Sequence, residues 1–166
     1  MLIGMAGVGK STVGPALAKA LGFGFTDLDE HIKEKDGRTV QEVIDSEGED
    51  ALLGLEKRRM LEIKLDSRVV APGGSLVYLP DLMEYLKRHS IIIYLYDSFE
   101  NIEKRLGNAP GRGIVGLKIQ SLRDVYEERR PLYSRYADIT IGMANISPQQ
   151  AVGEILRQYR GLGRNK

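Results

Sequence analysis

Gly4-Met5-Ala6-Gly7-Val8-Gly9-Lys10-Ser11 fills every fixed position of the pattern G-x-x-x-x-G-K-[ST]. Glycines here let the backbone curl until successive N–H groups point inward, where the oxygens of a phosphate would sit. A helix beginning at the end of this turn adds the positive end of its dipole. Lys10 would neutralise the β- and γ-phosphates and the Ser11 hydroxyl would coordinate Mg²⁺. Gly7, Val8, Gly9, Lys10, Ser11 and Thr12 are therefore the expected nucleotide-binding run, with ATP and Mg²⁺ as the implied ligands.

The flanks suit such a loop. Leu2-Ile3 can end a short strand, and Val13, Ala16, Leu17, Ala20 and Leu21 recur at helical spacing just after it. Pro15 removes one backbone donor from that helix, close enough to its start to be tolerated. Further along, Val69-Val70-Ala71 and Ile91 to Tyr96 read as buried strands, and Val152, Ile155, Leu156 and Tyr159 repeat as a helix. Strands alternating with helices predict an α/β fold of three layers, a parallel sheet flanked by helices. With 166 residues and no linker-like composition break, the expectation is one domain, 1–166. The glycine-rich stretch Gly107-Asn108-Ala109-Pro110-Gly111-Arg112-Gly113 reads as a loop, and the tail from Gly161 to Lys166 as a fraying end.

Composition removes several function classes. Lys plus Arg number 24 against 23 Asp plus Glu, so the charge of +1 offers no electrostatic case for nucleic acid or an anionic membrane as partner. The lack of Cys excludes disulfides, a thiolate nucleophile and a Cys-based zinc site. His31 and His89 are too few for a His-rich metal cluster. No apolar run approaches the ~20 residues that span a bilayer, and no signal-peptide pattern opens the chain, so a soluble cytoplasmic domain is expected.

A phosphate loop implies a nucleotide without specifying a reaction. No Asn-Lys-x-Asp segment reads a guanine, and no Leu-Ser-Gly-Gly signature marks a transporter ATPase. Asp97, after its apolar run, can be a magnesium-site residue or a cap on the next helix. Asp27-Leu28-Asp29 places two carboxylates where they can split roles across a strand end, or simply enrich a helix N-terminus in acid. Small size, this acidic pair and an Arg-bearing loop point to a small-molecule kinase.

Taken together, these landmarks resemble the shikimate kinase family, within the nucleoside monophosphate kinase-like P-loop fold. The resemblance runs from Gly4 to about Pro148. It adds Gly48-Glu49 with Glu56 following, Gly73-Gly74, Arg105 and Arg112, and Arg129-Arg130-Pro131-Leu132-Tyr133. It implies transfer of the γ-phosphoryl group of ATP to a small metabolite's hydroxyl by a monomer. A helical region at about 30–62 would bind substrate and a lid at about 107–118 would close. In these terms Asp27 supports Mg²⁺, and Asp29 holds the acceptor hydroxyl and takes its proton. Glu56, Gly73 and Gly74 line the acceptor site, Arg105 packs on adenine, and Pro148 flanks it. Arg112 closes over the phosphates from the lid, and Arg129 grips a carboxylate through its bidentate fork. The charged run Glu127-Glu128-Arg129-Arg130 also reads as an exposed helical face.

Four departures cluster in the acceptor half. The family's aromatic–Arg pair before Glu56 is Leu52-Leu53, a second ring-lining aromatic is Ile44, and the third glycine is Ser75. The lid also loosens, with Arg112 followed by Gly113-Ile114-Val115. Losing an Arg from a carboxylate site removes ~1.5–3 kcal/mol, roughly tenfold to a hundredfold in affinity. Arg58 or Arg59 would have to reach the same place, or the helix would have to be shifted. Shikimate and a different hydroxylated acid such as homoserine both fit. A non-catalytic nucleotide-binding regulator is the rival class, and a nucleotide kinase the rival enzyme.

Overall fold

The computed structural model describes residues 1–107 and 113–162. Among the described residues, five strands, β1 (Leu2–Ile3), β2 (Gly24–Asp27), β3 (Arg68–Ala71), β4 (Ile93–Tyr96) and β5 (Ile139–Gly142), are interspersed with eight helices. These are α1 (Lys10–Leu21), α2 (Leu28–Asp36), α3 (Val40–Glu47), α4 (Glu49–Glu62), α5 (Pro80–His89), α6 (Phe99–Leu106), α7 (Leu122–Tyr136) and α8 (Pro148–Leu162). A 3₁₀ turn, Gly74–Tyr78, follows β3.

Every strand pair is parallel: β1 with β4, β4 with β5, and β2 with β3. β3 lies alongside β1 without ladder bonds, so the strands run β2-β3-β1-β4-β5. Val69, Val70 and Ala71 in β3 and Ile93, Tyr94 and Leu95 in β4 are buried without alternation, as strands covered on both faces must be. The α/β architecture expected from the sequence is the one found. Because the strands are parallel, β1, β2 and β3 release their C-terminal ends on one edge, where ligands bind in open α/β sheets. These ends carry the glycine loop, Asp27 and Gly73-Gly74.

Local chemistry sets where the helices begin. Asp27 caps α2 by accepting from Asp29 N, and capping boxes of Thr39 with Glu42 and Ser121 with Asp124 open α3 and α7. Pro15 sits inside α1, where its ring removes one bond of the ladder. Three expectations shift. β4 starts at Ile93, because Ile92 N is taken by the Asp138 carboxylate at 2.8 Å. α8 continues through Gly161 and Leu162, so those two residues are helix rather than tail. Asp97 is not the cap of α6; Ser98 is, accepting from Asn101 N.

Candidate active site

A cleft of about 490 Å³ opens at this edge, lined by the glycine loop, Asp27, Asp29, Glu56, the Pro72–Ser75 segment, Arg105, residues 113–115 and Arg129. That volume suits a small-molecule site.

Gly4, Gly7 and Gly9 all have positive φ, and a Cβ on Gly4 would collide with Leu95 O. The turn therefore stays tight against β4. Lys10 Nζ lies back over the loop, donating to Gly4 O at 2.8 Å and Met5 O at 3.1 Å. Burial brings its pKa down to about 8, against Asp29 and Asp27, which favour the charged form.

Ser11 Oγ donates to Asp27 Oδ2 at 2.6 Å, while Asp27 Oδ1 accepts from Asp29 N at 3.1 Å. One Asp27 oxygen therefore caps α2 and the other accepts from Ser11 on the helix that follows the glycine loop. A hydroxyl beside a carboxylate is the oxygen donor set that Mg²⁺ prefers, and this ion commonly takes only one or two protein ligands besides water and phosphate. Among the described residues no cluster of three or more His, Cys, Asp or Glu forms a fuller metal cage.

Asp29 follows on the first turn of α2. Its Oδ1 is buried and has no hydrogen-bond partner. Burial first, and then the charge of Asp27, push its pKa up to about 6, with Lys10 pulling the other way. Glu56, on α4, is 2% exposed, and its Oε2 accepts from Ser75 Oγ at 2.7 Å. Burial raises this carboxyl to about 7; the Ser75 bond opposes the rise and Asp29 adds to it.

Arg129 is 1% exposed and points inward, whereas Glu127, Glu128 and Arg130 of the same run are exposed. Its Nη2 donates to Val115 O at 2.7 Å and its Nε to Tyr78 Oη at 3.2 Å. Tyr133, one turn further along α7, stacks on Tyr94 of the sheet and donates to Gly74 O at 2.8 Å. A Cβ on Gly74 would come within 2.9 Å of both Arg129 Nη1 and Tyr133 Oη, so a side chain there would push one or both aside.

Arg105 reaches the loop from α6. Its Nη1 donates to Gly7 O at 3.3 Å, and its Nη2 stands 2.7 Å from Asp97 Oδ2, an ion pair not aligned as a hydrogen bond. The other Asp97 oxygen accepts from Ser98 N at 2.9 Å and Asn101 Nδ2 at 2.7 Å. The Asp97 carboxylate is therefore committed to Arg105 and its own helix, not to a metal position beside Ser11.

The cleft thus brings together Gly7, Gly9, Lys10, Ser11, Thr12, Asp27, Asp29, Glu56, Gly73, Gly74, Arg105 and Arg129. Val8 is buried in the core, and Pro148 opens α8 without lining the cleft. Arg112 lies outside the described residues. Arg59 does not stand in for the missing cation: it makes two bonds to Asp36, at 2.8 and 2.7 Å, and pairs with Glu62. Neither it nor Arg58, Leu52, Leu53 or Ile44 lines the cleft.

Residues 113–118, the described part of the expected lid, form a strap. Gly113 N donates to Gln41 Oε1 at 2.7 Å, Gly116 N to Glu49 Oε1 at 2.8 Å and Lys118 Nζ to Ile44 O at 3.1 Å, fastening it across α3 and α4. Val115 meets Arg129 through its carbonyl, a group every residue has, so no side-chain signal marks it.

A profile of the shikimate kinase family matches residues 6–160. The shikimate kinase of Persephonella marina is 35% identical over 161 residues, covering 96% of this chain and 97% of its own. That of Gloeobacter violaceus is 37% identical over 154 residues, covering 90% and 86% respectively. Among solved structures, the Acinetobacter baumannii shikimate kinase in complex with shikimate superposes with a TM-score of 0.87 at 32% identity, covering 96% of this chain and 91% of that one. The chain belongs to the shikimate kinase family, and its activity is ATP- and magnesium-dependent phosphotransfer to a small-molecule hydroxyl.

Proposed function

We propose that the cleft divides this work between two ends. The loop amides and Lys10 hold the phosphates of ATP, with Arg105 beside them at Gly7. Ser11 and Asp27 would hold Mg²⁺, which when bound neutralises phosphate charge. Asp29 accepts the proton of the acceptor hydroxyl as its oxygen forms a bond to the γ-phosphorus and the bond from that phosphorus to ADP breaks. Arg129 anchors a carboxylate on the acceptor. Such catalysis rests on positioning and charge neutralisation, which these groups supply.

The observation that carries this reading is Asp29 Oδ1, buried in the cleft with no partner of its own. A structural acid at a helix start would be capped or solvated. A nucleotide-binding regulator has no use for such a group. Shikimate, the ligand of the Acinetobacter relative, is the first acceptor to test. ADP release with ATP and Mg²⁺ should depend on an added hydroxylated acid and vanish in Lys10→Ala. Asp29→Asn should bind ATP as the parent does but fail to transfer. An Asp29→Asn variant that turns over normally would exclude Asp29 as the base.

A further inference from the structure

Arg129 is held from two sides with no acceptor in the cleft. Val115 O takes an N–H of Nη2 at 2.7 Å, and Tyr78 Oη takes the Nε–H at 3.2 Å. The guanidinium also lies over the Tyr78 ring, 5.0 Å from its centroid, within the ~6 Å at which a cation is drawn to an aromatic face. A guanidinium has five N–H groups, and these contacts use two. Both on Nη1 and one on Nη2 are left, enough for a two-pronged grip on a carboxylate.

Tyr78 does not itself line the cleft. It ends the 3₁₀ turn Gly74–Tyr78, in which Ser75, Leu76 and Val77 are buried. That turn meets α7 at both ends, through Gly74 O with Tyr133 and through Tyr78 Oη with Arg129. The place of the phenol is therefore tied to that of the glycine in the cleft. Burial pushes the Tyr78 pKa up, against Arg129, so the hydroxyl stays neutral and offers Nε a lone pair without adding an anion beside the site.

Held at Nη2 alone, a planar guanidinium can still swing about that contact. A second contact at Nε, with a ring against the group, fixes its plane. Arg has several rotatable bonds, and freezing them opposes binding unless folding has already frozen them.

We propose, resting on the reading of Arg129 as the carboxylate anchor, that Tyr78 is a positioning residue for the acceptor. It presets Arg129 so that the free N–H groups of Nη1 and Nη2 receive the carboxylate while the acceptor hydroxyl reaches Asp29. Tyr78 touches neither substrate and acts through the guanidinium. Its effect is therefore confined to acceptors that carry a carboxylate, which makes it a specificity residue as well.

The test is steady-state ADP release with ATP and Mg²⁺ by the parent, Tyr78→Phe and Tyr78→Leu, on shikimate and on its neutral primary carboxamide. Tyr78→Phe keeps the ring and loses the acceptor for Nε. Its KM for shikimate should rise roughly threefold to tenfold, with kcat and the KM for ATP unchanged. Tyr78→Leu, which also loses the ring, should raise it further; if that variant folds poorly, Tyr78→Phe decides alone. On the carboxamide, which gives Arg129 no anion to grip, kcat/KM should stay close to the parent's. An unchanged KM for shikimate in Tyr78→Phe overturns the positioning role, and so does an equal loss on acid and amide, which packing alone would produce. In both cases a parent that prefers the acid leaves Arg129 standing as the anchor. A parent that uses acid and amide equally removes the anchor itself, and the role of Tyr78 with it. ADP release from neither acceptor by the parent would bring down both.

Discussion

At the glycine-loop end of the cleft, one stretch of sequence, Ala6-Gly7 and Gly9 to Thr12, supplies most of the lining, much of it glycine. At the acceptor end, Asp29, Glu56, Ser75 and Arg129 arrive on α2, α4, a 3₁₀ turn and α7. The first construction depends on glycine conformations and a helix start, which few substitutions can retune. The second depends on which side chains happen to converge, so a single exchange such as Leu53 or Ser75 resets its charge and donor pattern. A family can thus hold its phosphate chemistry constant while its acceptor site drifts.

The largest effects should separate the two ends. Asp29→Asn removes the proton acceptor and should lower kcat by about 10²–10⁴, the usual worth of general-base catalysis, with ATP affinity kept. Lys10→Ala should lower kcat by about 10²–10³ and weaken ATP binding with every acceptor. Equilibrium nucleotide binding beside single-turnover rates distinguishes them. If Asp29→Asn lost ATP affinity as Lys10→Ala does, the two ends would not be separable.

The pH dependence should show both ends in one curve. In the proposed role Asp29 works as carboxylate, and its pKa is pushed up to about 6, so kcat/KM should fall about tenfold per unit below that pH. In the proposed role Lys10 works as ammonium, and burial brings its pKa down to about 8, so kcat/KM should fall again above it. In Lys10→Arg, whose guanidinium does not titrate in this range, whatever activity remains should lose the alkaline limb and keep the acid one.

Leu53→Arg sharpens the contrast from the acceptor side. Leu53 lies three residues before Glu56 on α4, on the same side of the helix. A guanidinium there would give Glu56 a cationic partner and the cleft a second anion-binding fork. The KM for shikimate should fall roughly tenfold to a hundredfold. An unchanged KM would mean that α4 presents this position away from the acceptor.

The same contrast explains what could be read from the chain alone. The glycine loop, Asp27 and Asp29 were legible because their geometry is local: turn, strand end and helix start are adjacent in sequence. Arg129 was ambiguous, since Glu127-Glu128-Arg129-Arg130 has the look of a solvated face. Only the packing of α7 against Tyr78, Val115 and the space left by Gly74 shows that it points inward. The missing cation at Leu53 was visible as a departure. That Arg59 could not replace it was not, because its pairing with Asp36 joins α4 to a residue far off in sequence. The Ser75–Glu56 bond and the Val115 carbonyl are tertiary facts with no local signature.

Asp97 offers the smallest predicted effect and the most specific one. Its carboxylate is buried and fixed by Ser98 N and Asn101 Nδ2, so Arg105, the mobile partner, is the one whose position the pair decides. Arg105 is about half exposed, and ion pairs with a solvated member contribute about 0.2–1 kcal/mol. Asp97→Asn keeps an acceptor for Ser98 N and removes the charge. The KM for ATP should therefore rise by at most roughly fivefold, with kcat and the acceptor KM unchanged. Because Asp97 acts through Arg105, adding Asp97→Asn to Arg105→Ala should cost nothing further. A full, additive loss in that background would mean that the carboxylate supports the end of β4 and the start of α6 directly, and that the arginine over Gly7 is held by the loop carbonyl alone.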